Sequence, residues 1–331
     1  MIDDCEPVFV VGMNGSGTSM MLDSLGRHPA LYALRDETHM MPYIISQAHR
    51  FEDLNDDENF KAYGRFAIEQ IPKMERLTGG DRFELPADWL TRPRTIAGVF
   101  DGIFGHLAAG QGKRRWCEKT PDHVQHIEML ADVFPGSRFI HMIRDGREVA
   151  CSINRRQKRQ PELIVYRWKK LVEAGRTAGA RLPDRYFEVR YEDLTADARK
   201  QMLAVCEFLQ LEFSEQVLQS RMPQSPERKR LGQGELGEIS NNPVKWPGYF
   251  DAVAVRRLEA IGGRRLAELG YDVTSEHGDR DPHPVQRHVW RAADFVRETN
   301  HLRKTTKRYD SWRKVARNTV LSFKEFRSKR Y

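Results

Sequence analysis

Residues 8–19 read Val8-Phe-Val-Val-Gly-Met-Asn-Gly-Ser-Gly-Thr-Ser19, an apolar run that leads directly into a glycine-rich loop. Four consecutive apolar residues before a glycine turn are typical of a buried strand, and residues 18–26 suit a helix. Glycine lets the backbone turn sharply and approach a bound group closely. Backbone N–H groups in such a loop, with the positive end of the next helix, form a concave anion site. We therefore predict phosphate binding at residues 12–17.

The same order of strand, turn and helix occurs three more times along the chain. The predicted strands are 115–118, 138–143 and 186–191, and the helices that follow them are 122–134, 145–156 and 197–209. Repeated units of this kind indicate an α/β fold of three layers, a parallel sheet with helices on both faces. Ligands bind such sheets at the carboxyl ends of the strands. The turns at 12–17, 119–121 and 144–146 are therefore the predicted site.

Three other segments differ in composition. Residues 46–110 are acidic at their start, are interrupted by proline and glycine, and contain no strong strand, so we predict a helical insertion that covers one side of the site. Residues 221–250 are rich in proline and glycine and are predicted to form a long substrate or cofactor loop. One domain over residues 1–279, followed by a tail over 280–331, accounts for this organisation.

The positive charge of the chain is concentrated in the tail. The net charge is +7, but residues 280–331 contain fifteen Lys or Arg and five Asp or Glu, a net +10, which leaves −3 for residues 1–279. Bulky apolar residues alternate with these cations, which suits an amphipathic helix on an anionic membrane. Nucleic acid would also match the charge, but residues 1–279 have no nucleic-acid motif. The other alternative is a pair of helices packed on the domain or on a second subunit, as in a homodimer.

Composition excludes several further classes. Hydrophobic residues make up 40% of the chain, enough for a core at this length and unlike a disordered protein. No apolar stretch approaches the roughly 18–20 residues of a membrane-spanning helix, and the acidic N-terminus lacks the basic start of a signal peptide. The four cysteines, at 5, 117, 151 and 206, include no C-x-x-C pair and indicate reduced thiols rather than a disulfide framework or zinc site. A cytoplasmic protein without a metal is predicted.

The glycine loop differs from that of a nucleotide triphosphatase. Gly12 and Gly17 have the required spacing, but Thr18 stands where the lysine that reaches the β and γ phosphates should be. The missing lysine disfavours a kinase or an ATPase. A nucleotide-binding protein without catalysis is another alternative. Arg144 follows the 138–143 strand, and Ser152 lies eight residues later, about two helical turns on. A second anion-binding element there implies a ligand with two separated phosphate-like groups.

Together these motifs resemble the sulfotransferases that use 3′-phosphoadenosine 5′-phosphosulfate (PAPS). The glycine loop is similar to the family's 5′-phosphosulfate loop, and residues 134–152 are similar to its 3′-phosphate segment. Further motifs follow in the family's order: Glu118-Lys-Thr-Pro121, Tyr191-Glu-Asp-Leu194 and Lys245-Trp246. Arg35-Asp-Glu-Thr38 and Leu269-Gly-Tyr-Asp272 match the tyrosylprotein-sulfotransferase-like branch. The resemblance covers about residues 7–273 and implies a fold related to P-loop kinases, no metal, and in-line transfer of a sulfuryl group to an acceptor hydroxyl or amine.

The resemblance also implies roles for individual residues. The 5′-phosphosulfate would be held by Asn14, Gly15, Ser16, Gly17, Thr18 and Ser19, chiefly through backbone N–H groups. Arg144 and Ser152 would bind the 3′-phosphate, and Lys245 would add a further cofactor contact. Many relatives have Lys or Arg where this chain has Gly15, so the leaving phosphate needs another donor. Lys119 is the candidate, and Asn14 could assist it.

The acceptor must lose a proton as it attacks sulfur, so a base is expected. Glu37 matches the base of the tyrosylprotein-like branch, and His39, His28 and His141 are competitors. His141 lies inside a predicted strand, which favours a structural role. The acceptor itself is not specified by any motif, and for a chain with a basic tail we predict a carbohydrate or a lipid-linked glycan.

Overall fold

The computed structural model describes residues 6–34, 36–71, 74, 83–222, 235–240, 244–274 and 278–306. The chain divides into two compact units, and each is described by itself. The first unit consists of residues 1–144 and 170–244, and the second consists of residues 145–169 and 245–331.

The first unit contains a five-stranded sheet in which every observed pairing is parallel, with the order β2-β3-β1-β4-β5. The strands are β1 (Val8–Gly12), β2 (Leu31–Ala33), β3 (Arg115–Glu118), β4 (Arg138–Ile143) and β5 (Tyr186–Arg190). A small antiparallel pair joins β6 (Gln219–Met222) to β7 (Glu235–Glu238). The central strand β1 pairs on one side with β3 and on the other with β4.

Helices surround this sheet. They are α1 (Thr18–Leu25), α2 (Met41–Ser46), α3 (Asp57–Gln70), α4 (Ile96–Ala109), α5 (Ile127–Val133), the end of α7 (Pro161–Gly179), α8 (Tyr191–Ala196) and α9 (Ala198–Phe208). Short 3₁₀ turns span Ala48–Phe51, Trp89–Thr91, Pro121–Gln125 and Glu215–Leu218.

The two faces of β1 pack against different helices because successive side chains of a strand point in opposite directions. Val8 and Val10 belong to an apolar cluster with residues of α1 and α9. Phe9 points to the other face, where its ring packs against Trp116 at 5.7 Å and Phe139 at 5.3 Å between ring centroids. There, Phe104 of α4 stacks edge-on against Trp116 at 5.2 Å. The three-layer α/β fold is confirmed.

The glycine at the end of β1 allows a close approach to the neighbouring strand. Gly12 has φ +140°, and a Cβ atom built there would lie 2.4 Å from the carbonyl oxygen of Met142. No side chain fits at that distance, so glycine lets β1 end against β4 and turn into the loop.

The second unit contains α6 (Gly146–Gln157), the start of α7, a 3₁₀ turn at Trp246–Gly248, α10 (Ala252–Glu268) and α11 (Pro284–Thr306). Its core includes the fully buried Trp168, against which Gly146 of α6 and Gly262 of α10 pack closely. Asp145 and Glu259 both bond the guanidinium of the buried Arg147. Within the described residues, no helix is long and apolar enough to cross a membrane.

The tail begins as a packed helix. Arg287 of α11 donates to the Tyr166 hydroxyl, and Asp294 accepts from the Gln160 backbone N–H at 3.1 Å. Lys169 also pairs with Asp279 at 2.9 Å and with Asp281. Residues 307–331, where much of the tail's charge lies, are outside the described residues.

The four strands predicted from the sequence are confirmed, and Tyr191, predicted to end the last of them, instead begins α8. The 46–110 segment is helical in its described part, although α4 packs against the sheet. The prediction that 221–250 is a loop is wrong for residues 221–222 and 235–238, which belong to the paired strands β6 and β7. Residues 223–234 and 241–243 lie outside the described residues.

Cys117, Cys151 and Cys206 are buried free thiols, as predicted, and Cys5 is outside the described residues.

Candidate active site

The predicted site residues of the first unit follow the carboxyl ends of adjacent parallel strands. Gly12 pairs with Met142, so β1 and β4 end at nearly the same level, whereas β3 ends at Glu118 opposite Phe9, three residues before the end of β1. The glycine loop, Lys119 and Arg144 come directly after these strand ends, and Glu37 comes four residues after β2. One edge of the sheet therefore carries the loop, two cations and a carboxylate.

The loop after β1 carries hydrogen-bond donors for which the described structure shows no side-chain cap. Gly17, with φ +94°, precedes α1 and offers no side-chain cap to the first N–H groups of the helix. These groups have no acceptor within the helix. In the described structure the Ser16 hydroxyl, 1% exposed, has no hydrogen-bond partner. Thr18 is also buried, whereas Asn14 and Ser19 are exposed. Unfilled donors beside a helix N-terminus fit a phosphate group.

Arg144 is held against this loop. Its Nη1 donates to the Gly15 carbonyl at 3.1 Å, and its Cζ lies 4.1 Å from the ring centroid of Tyr191. Tyr191 also packs against Gly17, where an added Cβ would lie 2.5 Å from the tyrosine ring. The tyrosine thus orients the guanidinium and requires glycine at the start of α1. The Arg144 guanidinium thus lies beside Gly15.

Glu37, Lys119 and His39 form one ionic cluster. Lys119 Nζ donates to Glu37 Oε1, while His39 Nε2 lies 3.0 Å from Glu37 Oε2. The lysine side chain is 10% exposed, the glutamate 25% and the histidine 55%. The structure therefore brings together the two residues predicted for catalysis and adds one of the competing bases.

The cluster changes the proton affinities of its members. Burial opposes ionisation of Glu37, but the hydrogen bond with His39 and the charge of Lys119 outweigh it and lower the pKa of Glu37 to about 2. The hydrogen bond with Glu37 raises the pKa of the His39 imidazole, against the effect of burial. Glu37 is thus a carboxylate, and His39 holds its proton to a higher pH than an ordinary histidine.

The other two histidines considered as bases have structural partners. His28 is 4% exposed, with Nε2 placed 2.8 Å from the Glu212 carbonyl and Nδ1 accepting from the Ala30 N–H at 3.1 Å. His141 is fully buried, its Nδ1 lies 2.6 Å from the Tyr186 hydroxyl, and burial lowers its pKa to about 3. Of the competing bases, only His39 contacts Glu37.

Ser152 and Lys245 belong to the second unit. Ser152 is half-buried on α6, one helical turn after Glu148. The Glu148 carboxylate accepts from the backbone N–H of Lys245 and, at 2.7 Å, from that of Trp246. Trp246 stacks on Arg147, with 4.0 Å between Cζ and the ring centroid. The α6 helix therefore carries Ser152 and also anchors the Lys245 segment.

Sequence reasoning missed two residues of the site. Tyr191 and Glu118 lie within quoted motifs but received no role, because a stacking ring and a buried carboxylate leave no spacing pattern of their own. Glu118 is fully buried and accepts from Thr38 and Thr120, the residues beside Glu37 and Lys119. Only the folded chain shows these contacts.

Comparison with known proteins identifies the class. The model of the sulfotransferase family matches residues 7–215. The sulfotransferase domain of the Synechococcus PCC 7002 olefin synthase has the same fold, with a TM-score of 0.53 at 23% identity over 82% of this chain and 97% of that one. The sulfotransferase domain of the curacin biosynthetic pathway aligns with a TM-score of 0.51 at 17% identity, covering 82% of this chain and all of that one.

The chain belongs to the sulfotransferase family, and its resemblance to the tyrosylprotein-sulfotransferase-like branch is confirmed. Protein-tyrosine sulfotransferase 1 of Danio rerio is 24% identical over 81% of this chain and 73% of the relative. Protein-tyrosine sulfotransferase 2 of Gallus gallus is 25% identical over 83% and 72%. Within the described part of the chain, no three His, Cys, Asp or Glu residues form a group that could hold a metal ion.

The Glu37–His39 contact can be tested by titration. Glu37→Gln removes the charge and the acceptor that stabilise the protonated imidazole, so the NMR titration midpoint of His39 should fall toward that of an ordinary histidine. Glu58→Gln is the matched control, because Glu58 also pairs with a lysine, Lys61 at 2.8 Å, but lies in α3 on an exposed surface. An unchanged His39 midpoint in Glu37→Gln would contradict the pairing.

Proposed function

We propose that the protein transfers the sulfuryl group of PAPS to an acceptor hydroxyl by in-line displacement. The observation that carries the proposal is the shared sheet edge, where the glycine loop and Arg144 follow strands adjacent to those that precede Glu37 and Lys119. PAPS supplies the sulfuryl group and leaves as 3′,5′-bisphosphoadenosine. In the transfer, the bond from sulfur to the 5′-phosphate oxygen breaks, and a bond from sulfur to the acceptor oxygen forms.

The donors at the loop suit the cofactor's two anionic ends. The N–H groups at the start of α1 and the unpartnered Ser16 hydroxyl would hold the 5′-phosphosulfate. The 3′-phosphate is assigned to Arg144, which Tyr191 holds in place, and the assignments of Ser152 and Lys245 remain predictions. Lys119 would neutralise charge on the leaving phosphate, a role supported by its position at the next strand end.

Glu37 is the proposed proton acceptor, with His39 as its partner. A carboxylate with a pKa of about 2 is a weak base at neutral pH. An anionic cofactor competes with Glu37 for the Lys119 ammonium, and a weaker Glu37–Lys119 pair has a higher carboxylate pKa. The acceptor proton would pass to Glu37, which His39 continues to orient through its hydrogen bond.

Cofactor binding and proton transfer should separate by mutation. Arg144→Ala should weaken binding of 3′,5′-bisphosphoadenosine about tenfold or more, since it removes a charged partner of a phosphate. Glu37→Gln removes the carboxylate that competes for Lys119, so it should keep or raise that affinity and lose sulfuryl transfer. Isothermal calorimetry and transfer of radiolabelled sulfate from PAPS measure the two effects.

The matched control is Arg138→Ala. Arg138 begins β4, so its removal takes the same charge from the opposite end of the strand that precedes Arg144, and nucleotide affinity should not change. Equal loss of affinity in Arg144→Ala and Glu37→Gln would contradict the assigned division of roles.

The acceptor class is a separate proposal. The basic tail led us to predict a carbohydrate or lipid-linked glycan, whereas curated relatives are named protein-tyrosine sulfotransferases. Those names support a tyrosine hydroxyl, and we propose a tyrosine-containing polypeptide as the first acceptor to test. Labelled PAPS should transfer sulfate to a tyrosine peptide and not to the same peptide with phenylalanine. Transfer to an oligosaccharide but not to the tyrosine peptide would restore the carbohydrate proposal.

We further propose that the tail brings the protein to the cytoplasmic face of an anionic membrane. Exposed side chains on α11, Val285, Val289 and Val296, share one helical face by their spacing of four and seven residues. The following residues, 307–331, carry a net charge of +7 from nine basic and two acidic residues.

Liposome sedimentation tests this tail. The full chain should sediment with phosphatidylserine vesicles and not with phosphatidylcholine vesicles. A chain ending at Thr306, which keeps α11 and its contacts with Gln160 and Tyr166, should lose binding. Equal sedimentation of the two chains would contradict membrane contact through residues 307–331.

A further inference from the structure

Glu118, the last residue of β3, is a carboxylate with no exposed surface. Its Oε1 accepts from the Thr38 N–H at 3.2 Å and from the Thr38 hydroxyl at 3.0 Å, and the Thr120 hydroxyl donates to the same oxygen. Its Oε2 lies 3.1 Å from His123 Nδ1. Although burial opposes ionisation, the charge of His123 and these hydrogen bonds lower the pKa of Glu118. A buried anion is tolerated only when it is bonded in this way.

These bonds attach the Glu37 segment to β3. Thr38 stands between Glu37 and His39, and Glu118 holds both its backbone and its hydroxyl. The His39 N–H donates to the Thr120 hydroxyl at 3.3 Å, which is a second hydrogen bond between residues 37–39 and the end of β3. The strand end and residues 37–39 therefore form one connected network.

The segment needs such support because its backbone is strained. His39 has φ +45°, an uncommon value for a residue other than glycine, and the Met40 N–H donates to the Thr38 carbonyl across it. Turns of this three-residue kind persist when surrounding contacts hold them. The two Thr38 bonds to Glu118 immediately precede the strained residue.

The same strand end also positions the other half of the ionic cluster. Lys119 follows Glu118 directly, so the backbone that carries the buried carboxylate also carries the ammonium that binds Glu37. One buried group thus determines where both members of the Glu37–Lys119 pair lie. A misplacement of about 1 Å at a reacting group can lower a rate about 100-fold.

We propose that Glu118 is a positioning residue for sulfuryl transfer, which holds Glu37 and Lys119 in register through Thr38 and Thr120. The inference rests on the proposed roles of Glu37 and Lys119. It goes beyond those roles because it assigns the positions of Glu37 and Lys119 to the fully buried side chain of Glu118. A purely structural role would instead make Glu118 important for stability alone.

Two substitutions weaken the network to different degrees. Glu118→Gln removes the charge and keeps the shape, and Thr38→Val removes one hydroxyl bond to Glu118 while keeping the backbone bond. Each should slow sulfuryl transfer from labelled PAPS to the accepting peptide or oligosaccharide by about tenfold or more. Each should also lower the NMR titration midpoint of His39, because Glu37 is no longer held beside it. Affinity for 3′,5′-bisphosphoadenosine should stay within about twofold, because the loop and Arg144 are unchanged.

Control variants separate positioning from stability. Thr38→Ser keeps the hydroxyl and should restore most of the lost transfer. Ser24→Ala removes another fully buried hydroxyl, one that bonds the Val217 carbonyl in the apolar core, and should lower the melting temperature without changing transfer or the His39 midpoint. If Thr38→Val behaves like Ser24→Ala, Glu118 has no positioning role.

The controls also separate this inference from the proposed function. Should Glu37→Gln retain full transfer, the assignment of the base fails, and the His39 midpoint in Thr38→Val still reports whether Glu118 holds the segment. If Glu118→Gln does not fold, Thr38→Val decides the question alone. Loss of transfer in Glu37→Gln together with normal transfer and a normal His39 midpoint in Thr38→Val would overturn the inference only.

Discussion

Hydrogen bonding of β1 to a parallel strand on each side is the constraint on which the site depends. Parallel strands place their carboxyl ends at one edge, so the residues that follow β3, β1 and β4 meet there although more than 100 positions separate the first loop from Lys119. Because both faces of β1 are covered, Val8 and Phe9 pack into different layers, and a shift of one residue would exchange them. The register that buries the core therefore also sets the position of the glycine loop.

The charged side chains at the site of the first unit differ in the groups that compensate their charge. At the glycine loop the positive charge is that of Arg144, which is stacked on Tyr191 and bonded to the Gly15 carbonyl. Glu118 is compensated internally and stays ionised in the core. Glu37 lies near the surface, where its hydrogen bond with His39 and the charge of Lys119 outweigh burial and lower the pKa of its carboxyl to about 2. The fully buried Glu118 and the partly exposed Glu37 thus lie near each other at the carboxyl edge of the sheet, where Thr38 bonds Glu118.

Sequence reasoning found the strongly patterned elements and missed those that depend on contacts. The strands before the three turns were predictable because a continuous apolar run can be buried on both faces. The edge strand β2 was missed because Leu31–Ala33 is only three residues long and is a strand through its pairing with β3. The α7 helix was also missed, and β6 and β7 were assigned to a loop, since an antiparallel pair separated by many residues has no local signature. Among the site residues, Glu37 and Lys119 were named, whereas their common support was not.

The linear sequence determined the class of this protein, because the glycine loop, the Arg144 segment and their order along the chain can be recognised in the sequence alone. It also excluded the lysine-dependent triphosphatase loop, since one residue type at one position is sufficient for that. The tertiary structure alone decided that Glu37 pairs with Lys119 and His39, that His28 and His141 are structural, and that Glu118 holds the cluster. Those facts depend on distances between residues far apart in the chain, and such distances exist only after the strands have paired.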